Sequence, residues 1–113
     1  MHELSIACGL VKTAVNEAER HGASRVVSIE LVLGALTGVE PEALSFCFPM
    51  AAAGTTCAGA ELKIEIEAAK GRCGRCDATS EVRDLMSPCP HCGGWPLGLE
   101  GGREMRVRAL EVT

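Results

Sequence analysis

Two Cys-x-x-Cys pairs, Cys73/Cys76 and Cys89/Cys92, constrain this chain more than any other feature of its sequence. Each pair can place two thiolates on one metal ion from a single tight turn. The twelve residues between the pairs, 77–88, are enough for the chain to fold back and close a tetrahedral four-sulfur shell. Such a shell suits zinc, and it leaves no open position for water or substrate. The sequence therefore predicts a structural zinc site made by these four cysteines.

A redox-active dithiol is the competing interpretation of a Cys-x-x-Cys pair. It requires one pair beside a βαβ unit, whereas here two pairs stand at matched spacing. Of the seven cysteines, Cys8, Cys47 and Cys57 lie outside the pairs, and we expect them to be small buried apolar residues. An odd count argues against an extracellular disulfide framework. With no basic leader before His2, we expect no signal peptide and a cytoplasmic protein.

The length and charge of the chain bound its possible partners. With 113 residues it is expected to form one small domain, or a small domain carrying a smaller one. Its net charge of −4 argues against binding the phosphate backbone of nucleic acids. Its apolar stretch 44–60 is broken by Pro49, Gly54 and Gly59, so no membrane span is expected. No His/Glu cluster offers the open zinc site of a hydrolase, so no catalytic residues are predicted.

Hydrophobic periodicity predicts two helices and three strands. The first helix begins almost at the first residue and ends at His21-Gly22. The second begins at Pro41, after Glu40, and Pro49 is expected to kink it or to end it early. The first strand should be half-buried, because its apolar and polar residues alternate. The three predicted strands cover residues 25–33, 61–67 and 105–109.

Complementary charges favour pairing of the second and third strands as antiparallel neighbours. These outward charges are Glu65 and Glu67 on one strand and Arg106 and Arg108 on the other. The alternation slips near residues 109–110, which indicates a bulge or an edge position. We predict an α+β fold, with two helices on a small three-stranded sheet and an inserted zinc-ribbon-like domain. The expected domains are residues 1–69 with 102–113, and residues 70–101.

The amino-terminal Met1-His2-Glu3 has a coordination chemistry of its own. The α-amine and the deprotonated amide of His2 close a five-membered chelate ring around a metal ion, and that amide and the imidazole Nδ1 close a six-membered ring. Glu3 could add a fourth ligand through its carboxylate or its backbone. Planar nitrogen and oxygen ligands suit nickel(II) or copper(II). The alternative is a frayed terminus with a solvated histidine, and the residues alone leave both open. His91, between two cysteines, is expected to be a solvated turn residue.

Five segments, taken in order, resemble the HypA/HybF hydrogenase maturation family. They are Met1-His2-Glu3-Leu4-Ser5, residues 27–44, Gly54-Thr55 with Gly59-Ala60, the two Cys-x-x-Cys pairs, and Glu104-Met105-Arg106-Val107. The resemblance runs nearly from end to end. It implies a nickel-binding N-terminal domain and a separate structural zinc domain. Two departures from the family pattern are Asp77, where members often have glycine, and Pro49.

The resemblance also implies ligands, cargo and partners. By it, His2 is the nickel ligand, assisted by Glu3 and the Met1 amine, while the four paired cysteines hold zinc. It implies a metallochaperone, not an enzyme, that delivers nickel to the large subunit of nickel–iron hydrogenase with a HypB-type GTPase. A homodimer, and urease as a second recipient, are left open. A zinc-ribbon adaptor is the second hypothesis, but the ribbon has balanced charge and one aromatic residue, Trp95, which argues against nucleic-acid binding.

Overall fold

The computed structural model describes residues 2–113, so the Met1 amine, which the sequence assigns to nickel, lies outside the described residues. The elements are α1 (Glu3–Arg20), β1 (Val26–Gly34), α2 (Pro41–Ala52), β2 (Glu61–Glu67), β3 (Ala69–Cys73), β4 (Thr79–Val82), β5 (Leu97–Glu100) and β6 (Met105–Val112). They form two three-stranded sheets, in the orders β2-β1-β6 and β4-β3-β5. The predicted α+β class is confirmed. Neither of the two helices has the length and apolar character that crossing a membrane requires.

The chain divides into two compact units. The first, here called the helical unit, comprises the chain as far as Val32, together with Val39–Glu65 and Arg106–Thr113. The second, the ribbon unit, comprises Leu33–Gly38 and Ile66–Met105.

Helix α1 ends where its sequence predicts. The N–H of His21 donates to the carbonyls of Ala18 and Glu17, and Gly22 then adopts a φ of 68°. Glycine reaches this left-handed conformation without the steric cost that a Cβ imposes. One face of the helix is buried and packs on α2, and it carries Ala7, Leu10, Val11, Ala14 and Ala18.

Helix α2 continues past Pro49, so of the two expected effects, a kink or an early end, the early end does not occur. The helix runs to Ala52, and the N–H of Ala53 donates to the carbonyl of Pro49 at 3.0 Å. A proline in the last turn removes only its own hydrogen bond, to Ser45, and leaves the preceding turns intact. The helix starts as predicted, with Glu40 in an extended conformation and Pro41 as the first helical residue.

Strand β1 is the central strand of its sheet, which corrects two predictions. The predicted neighbours β2 and β6 do not pair with each other, because β1 lies between them. The charge complementarity is nevertheless present, since Arg108 forms an ion pair with Glu65. These two long side chains reach across the central strand. The expected half-buried alternation also fails, because Ser28 is buried while Val27 is exposed.

The helical unit has an aliphatic core in two clusters, and Phe48 is their one aromatic member among the described residues. Strand β1 contributes Ile29 and Leu31 to these clusters, and the helices contribute their apolar faces. The edge strand β6 contributes Val107, Leu110 and Val112. Two consecutive residues of β6, Arg108 and Ala109, are exposed between these positions. This is the slip in alternation that the sequence shows, and the predicted edge position is confirmed.

The ribbon unit has a much smaller core. Strand β3 is central and pairs antiparallel with β4 and with β5. The buried members of its hydrophobic cluster are Ala69, Cys73, Val82, Cys89 and Leu97, so two of the five are cysteines of the predicted zinc site. Gly71 lies between two of these side chains: a Cβ there would be 2.6 Å from Val82 Cγ2 and 3.0 Å from Leu97 Cδ1.

We expect Gly71→Ala to lower the free energy of unfolding of the ribbon unit by about 1–3 kcal/mol, because the added methyl group overpacks this small core. Gly98→Ala is the matched control on the neighbouring strand, since a Cβ there meets only Arg72 O, at 3.7 Å. Urea unfolding followed by the fluorescence of Trp95, the single tryptophan, would measure both variants. Equal midpoints for the two variants would contradict the packing argument.

Candidate metal centres

The four predicted zinc ligands come together in the ribbon unit. The sulfur atoms of Cys73, Cys76, Cys89 and Cys92 all lie within 4.8 Å of one another. Cys73 Sγ is 3.5 Å from Cys92 Sγ, and Cys76 Sγ is 3.6 Å from Cys89 Sγ. Sulfurs at the corners of a tetrahedron around zinc stand roughly 3.8 Å apart when each metal–sulfur bond is about 2.3 Å. The arrangement therefore fits a four-coordinate metal ion, and the donor set is consistent with zinc.

The first pair sits in a tight turn, residues 73–78, here called the first knuckle. The N–H of Cys73 donates to the carbonyl of Ala78 at 3.0 Å, and the N–H of Asp77 donates back to the carbonyl of Cys73 at 2.9 Å. Inside this loop, the N–H of Arg75 points at Cys73 Sγ at 3.4 Å. Backbone amides aimed at a ligand sulfur stabilise its thiolate form.

The second pair repeats this pattern in residues 89–94, the second knuckle. The N–H of Cys89 donates to the carbonyl of Gly94 at 2.8 Å, and the N–H of Gly93 donates to the carbonyl of Cys89 at 2.8 Å. The N–H of His91 points at Cys89 Sγ at 3.4 Å. Since every bond has a counterpart at the same offset in the first knuckle, both pairs present their sulfurs by the same backbone geometry. His91 itself is exposed, as expected of a turn residue.

These amides shift the acidity of the buried thiols. The N–H of Cys76, followed by that of Arg75, lowers the pKa of Cys73 to about 6. The N–H of Cys92 lowers the pKa of Cys89 in the same way. Metal ligation requires the thiolate, so in each knuckle the backbone amides favour the binding form of one sulfur.

The conformation of Asp77 explains how this residue can stand where family members often have glycine. It adopts a φ of 62°, the left-handed conformation that Gly93 adopts at the matching position of the second knuckle. Aspartate tolerates this conformation better than most residues with a side chain. Its carboxylate is held by Arg72, whose Nε donates to Asp77 Oδ1 at 2.8 Å. The turn that glycine would make without strain is therefore made here by an aspartate with a fixed side chain.

Gly94 allows the second knuckle to approach the sulfur cluster closely. A Cβ at this position would lie 3.2 Å from Cys73 Sγ and 3.3 Å from Cys92 Sγ. These distances are tighter than ordinary van der Waals contact, so a side chain would push on both sulfurs. The close approach requires a glycine.

The predicted nickel ligands lie at the start of α1. His2 is exposed and precedes the helix as its N-cap residue, and its carbonyl accepts the N–H of Ile6 at 3.1 Å. Glu3 is the first helical residue, and its Oε2 accepts the N–H of Glu40 at 3.2 Å. This hydrogen bond is the main reason that the pKa of Glu3 is lowered.

Sequence reasoning missed the contact between Glu3 and Glu40. The Glu40 side chain makes no capping hydrogen bond to its own helix, and the N–H groups at a helix start have no intrahelical partners. A carboxylate from elsewhere in the chain satisfies one of them. An unfilled cap at Glu40 is visible in the sequence, but nothing there says that Glu3, 37 positions away, would fill it.

The three remaining cysteines are not all buried. Cys57 is buried, and burial is the main reason that the pKa of its thiol is raised. Cys47 is partly buried, and it packs against the core of the helical unit. Cys8 is exposed on α1, so the prediction that it is a buried apolar residue is wrong. Its position falls outside the stripe of α1 residues that the core covers.

The fold and the cysteine cluster together define a small α+β protein with a four-cysteine ribbon whose sulfur atoms are placed to hold a metal ion. Comparison with known proteins makes this specific. A family model described as "HypA: Hydrogenase/urease nickel incorporation, metallochaperone, hypA" matches residues 1–112. The chain belongs to this family. It is thus a nickel metallochaperone of hydrogenase maturation and not an enzyme.

The similarity to individual relatives extends over the whole chain. The hydrogenase maturation factor HypA of Chlorobaculum tepidum is 43% identical over 112 residues, which are 99% of each chain. The hydrogenase maturation factor HypA 2 of Bradyrhizobium diazoefficiens is 41% identical over 112 residues, which are again 99% of each chain. The fold is similar to the solution structure of "the Ni metallochaperone HypA from Helicobacter pylori", with a TM-score of 0.68 at 22% identity, covering 99% of this chain and 97% of that one.

We expect Asp77→Ala to weaken the metal ribbon by about 1 kcal/mol, because alanine pays the full cost of the left-handed conformation and loses the contact with Arg72. Asp77→Gly is the matched variant: it also loses that contact but needs no strained backbone, and its ribbon should be more stable than that of Asp77→Ala. Metal retention against a chelator series would rank the variants. If Asp77→Ala resists the chelator as well as Asp77→Gly does, backbone strain does not matter here.

Proposed function

We propose that the four-cysteine site holds zinc permanently and that nickel, the cargo, binds separately at the amino terminus. The ribbon supports the first half, because its four sulfurs leave no free coordination position and two of them form part of its small core. When bound, zinc would supply folding energy to residues 70–101, which have little apolar core of their own. Under this proposal those residues form the zinc domain, and residues 1–69 with 102–113 form the nickel-binding domain.

Nickel is held, in this proposal, by the Met1 amine, the amide and imidazole of His2, and Glu3. The observation that carries it is the exposure of His2 directly ahead of α1, with no side-chain capping hydrogen bond that a metal would have to break. Nitrogen ligands in a plane suit nickel(II). An exposed ligand set at a chain end can pass its ion to a partner by exchanging one ligand at a time.

The contact between Glu3 and Glu40 bears on the fourth ligand. One carboxylate oxygen of Glu3 already accepts the Glu40 N–H. In a planar set, the Met1 amine and the imidazole take the two positions beside the His2 amide, and the Glu3 backbone nitrogen could bind only beside that same amide, so it cannot complete the plane. We therefore favour the second carboxylate oxygen of Glu3 as the fourth ligand, opposite the His2 amide.

The partners follow from the same proposal. Hydrogenase maturation by nickel insertion calls for the large subunit of nickel–iron hydrogenase as the recipient, and we propose a HypB-type GTPase as the partner that assists transfer. The family description also names urease, so we keep urease as the alternative recipient of nickel. A homodimer remains open. Seven cysteines without a disulfide fit the reducing cytoplasm, which we propose as the location.

Loss of one sulfur should empty the zinc site. We expect Cys73→Ala or Cys92→Ala to lower bound zinc from about one ion per chain to nearly none, and to unfold the ribbon while the helical unit keeps its helical circular dichroism. Cys8→Ala is the matched control, since Cys8 is exposed and lies outside the cluster. Elemental analysis gives the zinc content. A ribbon that stays native-like after complete zinc removal would show that the metal is not structural.

Nickel binding should depend on an intact amino terminus. We expect His2→Ala, or one extra residue before Met1, to abolish tight nickel binding without changing zinc content, because each change breaks the fused chelate rings. Binding should also weaken as the pH falls, since protons compete with the metal ion for the amine, amide and imidazole nitrogens. Calorimetric titration with nickel measures both effects. His21→Ala is the matched control, because His21 is also an exposed histidine at an end of α1.

Glu3 variants separate the two possible ligand atoms. Glu3→Gln keeps an oxygen that can accept the Glu40 N–H but loses the anionic ligand, so nickel affinity should fall while the contact with Glu40 is kept. Wild-type nickel affinity in Glu3→Gln would instead show that the Glu3 carboxylate is not a ligand. Wild-type affinity in His2→Ala would refute the N-terminal site altogether.

A further inference from the structure

Helix α2 has apolar residues on two opposite faces. Its inner face buries Leu44, Phe48 and Ala52. On its outer face, Phe46 is 79% exposed and Met50 is 63% exposed. A helix that is apolar on all sides is normally buried on all sides. Among residues 2–113, only one of the two faces is covered.

The exposed side chains form one continuous surface. Phe46 and Met50 are four residues apart, so they are neighbours along one side of the helix. Pro49, also exposed, lies between them and adds an apolar ring. We call Phe46, Pro49 and Met50 the outer face of α2. Isolated apolar residues are common on protein surfaces, but an adjoining phenylalanine and methionine are of the type found at binding surfaces.

The charged residues of α2 and of the chain segments on either side of it have a single sign. The sequence has no Lys, Arg or His between Arg25 and Lys63. Glu42 lies one turn before Phe46, and Glu40 precedes the helix; both are exposed. Within the described part of the chain, neither carboxylate forms a salt bridge. The apolar surface is therefore flanked by negative charge that no cation among residues 2–113 pairs with.

This charge selects among the possible occupants. A second copy bound through the same face about a two-fold axis would bring like carboxylates together, which is unfavourable. An anionic membrane surface would be repelled by the same carboxylates. A partner that brings both apolar side chains and cations is favoured on both counts. A helix with an apolar stripe and a basic flank matches the i, i+4 spacing of Phe46 and Met50.

The geometry points to the outer face of α2 as a docking surface for a basic amphipathic helix of a partner protein, with Phe46 and Met50 as its apolar anchors and Glu42 selecting positive charge. This surface lies on α2, the helix that begins directly after Glu40. The inference does not depend on where nickel binds, because it needs only the exposed side chains and their charges.

The test uses the full-length, zinc-loaded chain and three synthetic peptides of about five helical turns, roughly 18 residues each. One peptide carries leucines at helical spacing with lysine flanks, the second replaces the lysines by glutamates, and the third is a scrambled lysine peptide. We expect only the lysine peptide to bind, with an affinity that falls as salt is added. Amide chemical-shift changes of the labelled protein should concentrate on α2. Both readouts are taken with and without nickel, so a failed N-terminal nickel site would leave this result unchanged.

Surface variants assign the anchors. Phe46→Ser and Met50→Ser should each weaken binding of the lysine peptide by about tenfold or more, because truncation of an anchor residue removes much of the affinity of an interface. Glu42→Gln should weaken it less and reduce the salt dependence. Leu85→Ser is the matched control, because Leu85 is 52% exposed but lies in the ribbon unit. Circular dichroism checks that each variant keeps its helices.

Four outcomes would overturn the proposal. They are failure of the lysine peptide to bind, equal binding of the lysine and glutamate peptides, shift changes away from α2, and equal effects of Phe46→Ser and Leu85→Ser. Two further controls test the other occupants. Binding to anionic vesicles that Phe46→Ser abolishes would assign the face to a membrane, and self-association that Phe46→Ser abolishes would assign it to a second copy.

Discussion

The convergence of four sulfur atoms is the constraint on which the ribbon unit depends. Its hydrophobic core has five buried residues, and two of them, Cys73 and Cys89, belong to the sulfur cluster. Four thiols at these distances cannot all ionise without a cation, because adjacent thiolates repel one another. Both knuckles aim backbone amides at sulfur, and Gly94 leaves room for the close approach. The backbone of the ribbon is therefore arranged around the sulfur cluster as much as around its small core.

The helical unit differs from the ribbon unit in this respect. Its core is aliphatic and large enough to fold a sheet and two helices, so its own stability does not call for a metal. The start of α1 is therefore not needed for the core of this unit and can be exposed. A structural metal needs a closed shell with no vacant position, whereas a transferable ion needs ligands that a partner can reach. Separating the two roles in different units, as we propose, lets the cargo leave without removing the ion that holds the ribbon.

Helix α2 links the features that concern partners. Its first turn follows Glu40, whose N–H fixes the carboxylate of Glu3. Its outer face carries Phe46 and Met50 beside the uncompensated charge of Glu42. A partner helix on this face would lie on the same helix that anchors the amino terminus. Cargo binding and partner docking would then share one rigid element, which suits a protein whose task is transfer.

The sequence by itself determined what depends on local chemistry: the four-cysteine cluster from two matched cysteine pairs, the end of α1 before His21-Gly22, and the start of α2 at Pro41. Only the tertiary structure decided what depends on distant residues. Charge complementarity correctly indicated contact between Glu65 and Arg108 but not the strand between them, because long side chains can span a neighbouring strand. The contact of Glu3 with Glu40 has no local signal, since any carboxylate can cap a helix start and folding alone selects which one arrives.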